Sequence, residues 1–494
     1  MLTDPSVPSH EANYIGGEWT APDDAGFIES RNPSVPDEVV SEFPSSPREV
    51  AREAIDVAVA AQDEWADMSP HARGGYLRDA AAFVEDKRED VAELIAREMG
   101  KPVSIADGEV QRAVDLLNYY AEIARDYGGD APPSGSENTH AYTEREPLGT
   151  VGLITPWNYP IAIPIWKLAP ALVAGNTIIL KPASSSPAVA AVVAQAFDHA
   201  GLPDGVLNFV TGPGSQIGDE ITKNDDIDIV SFTGSTEAGM YVYEDTAAEG
   251  KRVQCEMGGK NPLIVDDTAG IETAVELTTA GAFAATGQSC TATSRVYVFE
   301  EVYDEYLAAL TEATEEMVVG DPLDPATEVG PKADEDGFEK VCDYIKLGRE
   351  EGATLHYGGR VVDPDGVEDG YFVEPTIFTD VDHDMRLMNE EIFGPIVGVM
   401  QVSDYEEAVE LANDTQYGLS ASICTNRLDY AKEFVGDIEA GVVKVNQTTT
   451  GIEFQLPFGG MKMSSTETYK EQGRQAIDFF THEKAVYVTH VMDD

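Results

Sequence analysis

The sequence predicts an α/β fold built on a parallel sheet, and three observations carry that prediction. Between residues 150 and 256, short apolar runs (Val151-Gly152-Leu153-Ile154, Thr177-Ile178-Ile179-Leu180, and the stretches 206–210 and 227–232) alternate with helix-compatible segments. Such alternation implies βαβ crossovers. Loops rich in Gly, Pro and hydroxyl residues follow these runs, and ligands of such sheets bind outside the carboxyl ends of the strands. A chain of 494 residues with 42% hydrophobic content fills more than one core, so two or three lobes are expected.

The remaining elements follow in chain order. Residues 1–46 are rich in Pro, Ser, Asp and Gly and read as irregular, with strand-like pieces at Tyr14-Ile15 and Val39-Val40. From 47 to about 127 the apolar spacing turns helical, through Val50, Ala54, Val57, Ala58 and Ala61 and later Leu94, Ile95 and Met99. Glu85, Asp86, Glu89, Asp90 and Glu93 form the solvated face of these helices. The loop 128–138 leads to an alternating edge strand at 141–146, a liability that a second subunit or the terminal strand 485–489 can relieve by pairing. Further on, strands are expected at 296–299, 371–378, 396–400 and 442–446, a helix at 405–413, a polar hairpin region at 352–370 and a tight loop at 456–462.

Charge excludes several classes of partner. Against 32 Lys and Arg stand 90 Asp and Glu, a formal net charge of -58. A chain this apolar folds, so the acid lies on its surface, where it repels nucleic acid and anionic lipid. Such a surface suits a cytoplasm of molar salt, in which the Debye length falls to about 3 Å; a halophilic protein is expected. Cys255, Cys290, Cys342 and Cys424 form no CxxC pair or His-rich cluster, so neither a disulfide framework nor a metal site is expected. The first residues, MLTDPSVPSHEANYIGGEW, lack a basic start and an apolar run, and no stretch reaches the roughly 18 apolar residues of a membrane span.

Chemistry concentrates at 281–295, GAFAATGQSCTATSR. Cys290 sits in a polar setting after Gly287-Gln288, with small residues around it that leave room for a substrate at the sulfur. The alternative is an ordinary buried thiol, because a cysteine is a nucleophile only with a base and an oxyanion donor nearby. Glu256, 34 positions earlier (290 minus 256), precedes Gly258-Gly259 and becomes a general base if burial raises its pKa; otherwise it is one more solvated acid. The stretch FTGSTEAG from Phe232 opens a helix whose N–H groups can receive a pyrophosphate. Its spacing is not GxGxxG, and taken alone the stretch reads better as a plain helix capped by Ser235 or Thr236.

Seven motifs taken together resemble the aldehyde dehydrogenase superfamily over nearly the whole chain: Thr155-Pro156-Trp157-Asn158-Tyr159-Pro160, Lys181-Pro182, FTGSTEAG, EMGGK from Glu256, GQSC ending at Cys290, EEIFGP from Glu390 and PFGGMK from Pro457. The resemblance implies an aldehyde dehydrogenase-like fold: a Rossmann-type cofactor domain (1–124 and 147–258), an α/β catalytic domain (259–465) and a small β oligomerisation extension (125–146 and 466–494). It implies Cys290 as the nucleophile, Asn158 with the Cys290 backbone N–H as oxyanion donors, and Glu256 as the base that hydrolyses the thioester. Lys181 and Glu391 would hold the riboses, Phe393 the nicotinamide side, and Gly234 and Ser235 the pyrophosphate. Thr155, Pro156, Trp157, Gly214 and Phe232 complete the implied cofactor site. Family members are homodimers or homotetramers.

Two departures refine the expectation. NAD-preferring relatives carry a glutamate three positions after the lysine; here Ser184 stands there, which admits a 2′-phosphate and implies NADP in preference to NAD. The wording EREPLGTVGLITPWNYPIAIP, CTATSRV and LPFGGMKMSS is similar to the branch that oxidises α-ketoglutaric semialdehyde (2,5-dioxopentanoate) to 2-oxoglutarate in pentose and sugar-acid breakdown. Tyr159 and Trp166 match the family's aldehyde tunnel. The arginines that succinic semialdehyde dehydrogenases place at Trp166 and Ala284 are missing, and Lys444 is the candidate for a substrate carboxylate. The alternatives are the same chemistry on succinic semialdehyde, betaine aldehyde or glycolaldehyde, and a non-catalytic binding protein on this fold, which intact Cys290, Glu256 and Asn158 oppose.

Overall fold

The computed structural model describes residues 11–22, 25–364, 366–367 and 369–490. Parts of the first residues, of the 352–370 region and of the C-terminal segment read above therefore lie outside the described residues. Two seven-stranded sheets dominate what is described. The first runs Arg252–Glu256, Ile229–Thr233, Thr150–Ile154, Thr177–Lys181 and Leu207–Phe209, all parallel, and ends in the antiparallel Asn13–Ile15 and Glu18–Thr20. Its central strands are buried at every residue but Ile154, as the apolar runs demand of a sheet covered on both faces. The order of the parallel strands reverses between Thr150–Ile154 and Ile229–Thr233, so a crevice opens at their carboxyl ends.

The second sheet runs Thr354–Tyr357, Thr376–Thr379, Ile396–Val402, Thr293–Phe299, Asn261–Val265, Ser420–Cys424 and Val442–Val445, parallel except for the first strand. The edge strand Thr139–Pro147 pairs antiparallel with Thr481–Thr489 along its whole length, so the terminal strand covers one of its edges within the chain.

Three expectations are corrected in detail. The first 46 residues are not simply irregular: besides the hairpin already placed in the first sheet they hold a second, Gly26–Arg31 with Val39–Ser45. The stretch 371–378 is laddered only from Thr376, because Pro375 has no N–H to donate and the segment before it makes a single bridge, Val361 to Val373. The helix Arg48–Asp67 buries Ala51, Ala54, Ile55, Ala58 and Trp65, leaving Val50, Val57 and Ala61 at the margin of the core.

One helix does most to place the site. Ala162–Ala174 is apolar apart from Lys167 and buried at every residue, which fits a helix enclosed by others rather than lying on a surface. The Glu109 carboxylate accepts from the Ile161 and Ala162 N–H groups at 3.1 and 3.2 Å and so caps its start. Gly175, at φ 102°, ends it in a left-handed turn that suits glycine.

Candidate active site

A cavity of about 370 Å³ lies where the two sheets meet, lined by Asn158, Glu256 and Cys290 together. Cys290 sits on a loop whose backbone is held left-handed at three successive residues, Ala285, Thr286 and Gly287 (φ 51°, 59° and 65°). Two of these are not glycine, a local strain of the kind that packing must hold in place. Thr286 Oγ1 donates to the Gly330 carbonyl at 3.0 Å, and Gln288 Oε1 accepts from Lys332 Nζ at 2.7 Å and from Ala333 N at 3.0 Å. Asn261 Nδ2 donates to the carbonyls of Cys290 and Ala292 at 2.8 and 2.9 Å. A side chain at Gly259 would meet the Cys290 carbonyl at 2.4 Å. Burial pushes the Cys290 thiol up, and the carboxylates of Glu391, Glu256 and Glu471 push it further the same way.

Asn158 follows the strand Thr150–Ile154 and precedes the enclosed helix. Its backbone carbonyl accepts from Lys101 Nζ at 2.7 Å, an ammonium that is itself ion-paired with Glu109. One hydrogen of its side-chain amide goes to the Gln288 carbonyl at 3.1 Å, leaving the other for an oxyanion.

Glu256 ends the strand Arg252–Glu256 and is buried. Its oxygens accept from Gly460 N at 3.0 Å and Ser465 Oγ at 2.9 Å. Burial first, and the neighbouring Glu471 second, hold its carboxyl well above the usual carboxylate range. Glu471 in turn is ion-paired with buried Lys167. The solvated reading of Glu256 is therefore excluded by its burial.

The crevice of the first sheet forms the other half of the cavity, with Pro156, Trp157, Thr233, Gly234 and Ser235 along it. Ser235 caps the helix Thr236–Ala248, accepting from Ala238 N at 3.3 Å, so the capping role and the cavity position coincide. The hydroxyls of Thr155 and Thr233, at the ends of the strands that flank the reversal, are buried without a hydrogen-bond partner. A side chain at Gly234 would strike the Phe232 ring at 2.5 Å, which keeps this helix start bare for a bound group. Unpartnered hydroxyls and a bare helix start at the switch point fit a dinucleotide. Glu391 Oε1 accepts from Gly259 N at 2.9 Å, and the Phe393 ring stands edge-on to Trp157 at 5.6 Å.

Of the expected residues, the cavity wall brings together Pro156, Trp157, Asn158, Tyr159, Trp166, Gly234, Ser235, Glu256, Cys290, Glu391 and Phe393. Thr155, Lys181 and Phe232 are buried beside it, and burial lowers the Lys181 ammonium to about 8. Ser184 and Gly214 are exposed in the segments that follow the strands Thr177–Lys181 and Leu207–Phe209. Lys444 is not in the wall: its Nζ donates to the carbonyls of Thr450 and Gly451. Arg112, Lys332 and Lys340, which do line the cavity, were not expected from the sequence.

A model of the aldehyde dehydrogenase family matches residues 19–486. The chain belongs to this family. The aldehyde dehydrogenase is 50% identical over 486 residues to the alpha-ketoglutarate semialdehyde dehydrogenase of Haloferax volcanii, covering 98% of this chain and 99% of the relative. It is 43% identical over 458 residues to the 2,5-dioxopentanoate dehydrogenase of Saccharolobus solfataricus, covering 92% and 95%. A solved structure of an E. coli NADP-dependent enzyme superposes with a TM-score of 0.95 at 33% identity, covering 99% of this chain and all of that one. This aldehyde dehydrogenase is therefore an NAD(P)-dependent oxidoreductase acting on aldehydes.

Proposed function

We propose that the enzyme oxidises 2,5-dioxopentanoate to 2-oxoglutarate, with NADP preferred to NAD, in the breakdown of pentoses and sugar acids. The observation that carries the chemistry is the meeting of Cys290, Asn158 and Glu256 on one cavity wall. Support for the substrate comes from the two relatives named for this aldehyde.

Cys290 gives up its proton to solvent and adds as the thiolate to the aldehyde carbon, and the oxygen takes up charge between the free Asn158 amide hydrogen and the Cys290 backbone N–H. When bound, NADP+ supplies the acceptor for the hydride that this carbon must lose. Cys290 then holds the acyl group as a thioester. Glu256 removes a proton from water, the resulting hydroxide adds to the thioester, the carbon–sulfur bond breaks, and the acid leaves with the thiol restored. A carboxyl whose affinity for protons has been raised by burial is suited to that proton transfer near neutrality. Lys181 and Glu391 would hold the riboses, Gly234 and Ser235 the pyrophosphate, Phe393 the nicotinamide side, and Ser184 the 2′-phosphate that a glutamate there would repel.

The boundaries of this reading are 1–124 and 147–258 for the cofactor domain, 259–465 for the catalytic domain, and 125–146 with 466–494 for assembly into a homodimer or homotetramer. The acid-rich surface suits the cytoplasm of a halophile. An aldehyde panel assayed with each coenzyme in molar KCl tests the whole reading. The highest kcat/KM is expected for 2,5-dioxopentanoate with NADP. A higher value for betaine aldehyde, succinic semialdehyde or glycolaldehyde refutes the substrate, and a higher value with NAD refutes the role given to Ser184.

A further inference from the structure

We propose that Arg112 recognises the carboxylate of the substrate, at the end remote from the carbon that bonds to Cys290. The proposal rests on the substrate reading above and names the residue that reading lacked. Arg112 lies on the helix Val103–Ile123 and reaches the same cavity wall as Cys290, on the side formed by Tyr159, Trp166, Ile452 and Phe458. Tyr159 is their shared neighbour, its phenol interacting electrostatically with both the thiol and the guanidinium.

Its donors set it apart from the other buried arginines. Arg73 reaches five carbonyl or phenol oxygens and Arg295 four, so each engages four of its five N–H bonds within the protein. Arg112 gives two, to the Ile452 carbonyl and to Gln472 Oε1 at 3.0 Å, of the five N–H bonds a guanidinium carries. Among the described residues no carboxylate forms an ion pair with it, whereas the buried ammonium groups of Lys101 and Lys167 each have one. The acids that do act on it, Glu453, Asp115 and Glu109, do so at longer range, and burial lowers its affinity for its proton. A half-buried cation with donors to spare, in a wall beside the nucleophile, is a site for a planar anion.

The other cations of the cavity are committed elsewhere. Lys332 donates to Gln288 Oε1 and the Phe393 carbonyl, and Lys340 acts on Glu391, both on the cofactor side. Lys444 is spent on the carbonyls of Thr450 and Gly451, next to the Ile452 carbonyl that Arg112 holds; the two cations pin one loop from behind, and Arg112 alone of them reaches the cavity.

The test compares 2,5-dioxopentanoate with 4-oxopentanal, which keeps the chain length and the ketone and lacks the carboxylate, in wild type and in the Arg112→Gln, Arg112→Lys and Lys444→Met variants. Arg112→Gln is expected to lower the ratio of kcat/KM values, dioxo acid over 4-oxopentanal, by about 10- to 100-fold, chiefly through KM. Arg112→Lys recovers part of that ratio, and Lys444→Met leaves it near the wild-type value. An unchanged ratio in Arg112→Gln overturns the assignment. A wild type that shows no preference for the dioxo acid defeats the substrate reading instead, so the two failures are told apart. Should Arg112→Gln fail to fold, Arg112→Lys, which keeps the charge but not the planar fork, decides: a ratio below wild type supports the assignment and an unchanged ratio overturns it.

Discussion

Cys290 is surrounded by groups that keep it a thiol in the free enzyme. Burial and three carboxylates, with Glu391 foremost among them, all favour the protonated form. The ordinary cysteine pKa is about 8.5, so the thiolate fraction at neutrality falls below that of a free thiol. Alkylation of Cys290 by iodoacetamide is therefore expected to be slow at pH 7 and to rise with pH along a curve whose midpoint lies above the ordinary value. Replacing Glu391 by Gln removes a negative neighbour and should move that midpoint down. A midpoint at or below the ordinary value, measured against a Cys290→Ala control, contradicts this account. Glu256 follows the opposite logic for a proton acceptor: the burial that raises its pKa also makes it a base that holds a proton usefully near neutrality.

At the scale of elements, the nucleophile loop depends on its backbone more than on its side chains. Gly287 stands at φ 65°, and a Cβ there would meet the Gly394 carbonyl at 2.3 Å and the Ala282 carbonyl at 2.9 Å. Gly287→Ala should destabilise the protein by about 2 kcal/mol or more and move the thiol out of place. Thermal unfolding and turnover measured together check this, and a variant with wild-type Tm and rate rules it out. That glycine was readable in the sequence, because GQSC announces a backbone turned for close approach. So were the parallel strands, whose burial leaves a local mark in unbroken apolar runs. The strand-like pieces at Tyr14-Ile15 and Val39-Val40 were legible as well, but their pairing into two hairpins was not, since one finds its place by pairing Tyr14 with Phe209, a distant partner that no local pattern reveals. Arg112 was missed for the same reason: its anchor at Ile452 is 340 residues away, and a helix position alone does not say which wall it faces. Lys444 was misread because alternation along a strand gives a face but not what the end of a long side chain will find there.

Across the whole molecule, charge decides the conditions under which these parts assemble. With a net charge of -58 the folded state concentrates its own repulsion, and salt near 1 M shortens the range of that repulsion from about 10 Å at 0.1 M to about 3 Å. Activity and circular dichroism are expected to collapse in dilute buffer and to return as KCl is added; full activity at low salt contradicts the halophilic reading. The pairing of Thr139–Pro147 with Thr481–Thr489 ties the middle of the chain to its last strand. Just before that strand, Ser465 and Gly460 bind the Glu256 carboxylate, and Glu471 sits beside it with Lys167. A ribosome thus releases the nucleophile long before the groups that ready the water-activating acid. Before residues 460–471 have been made, the emerging polypeptide has nothing to hold the Glu256 carboxylate, and Cys290 leaves the exit tunnel ahead of the partners of the acid proposed to free it again.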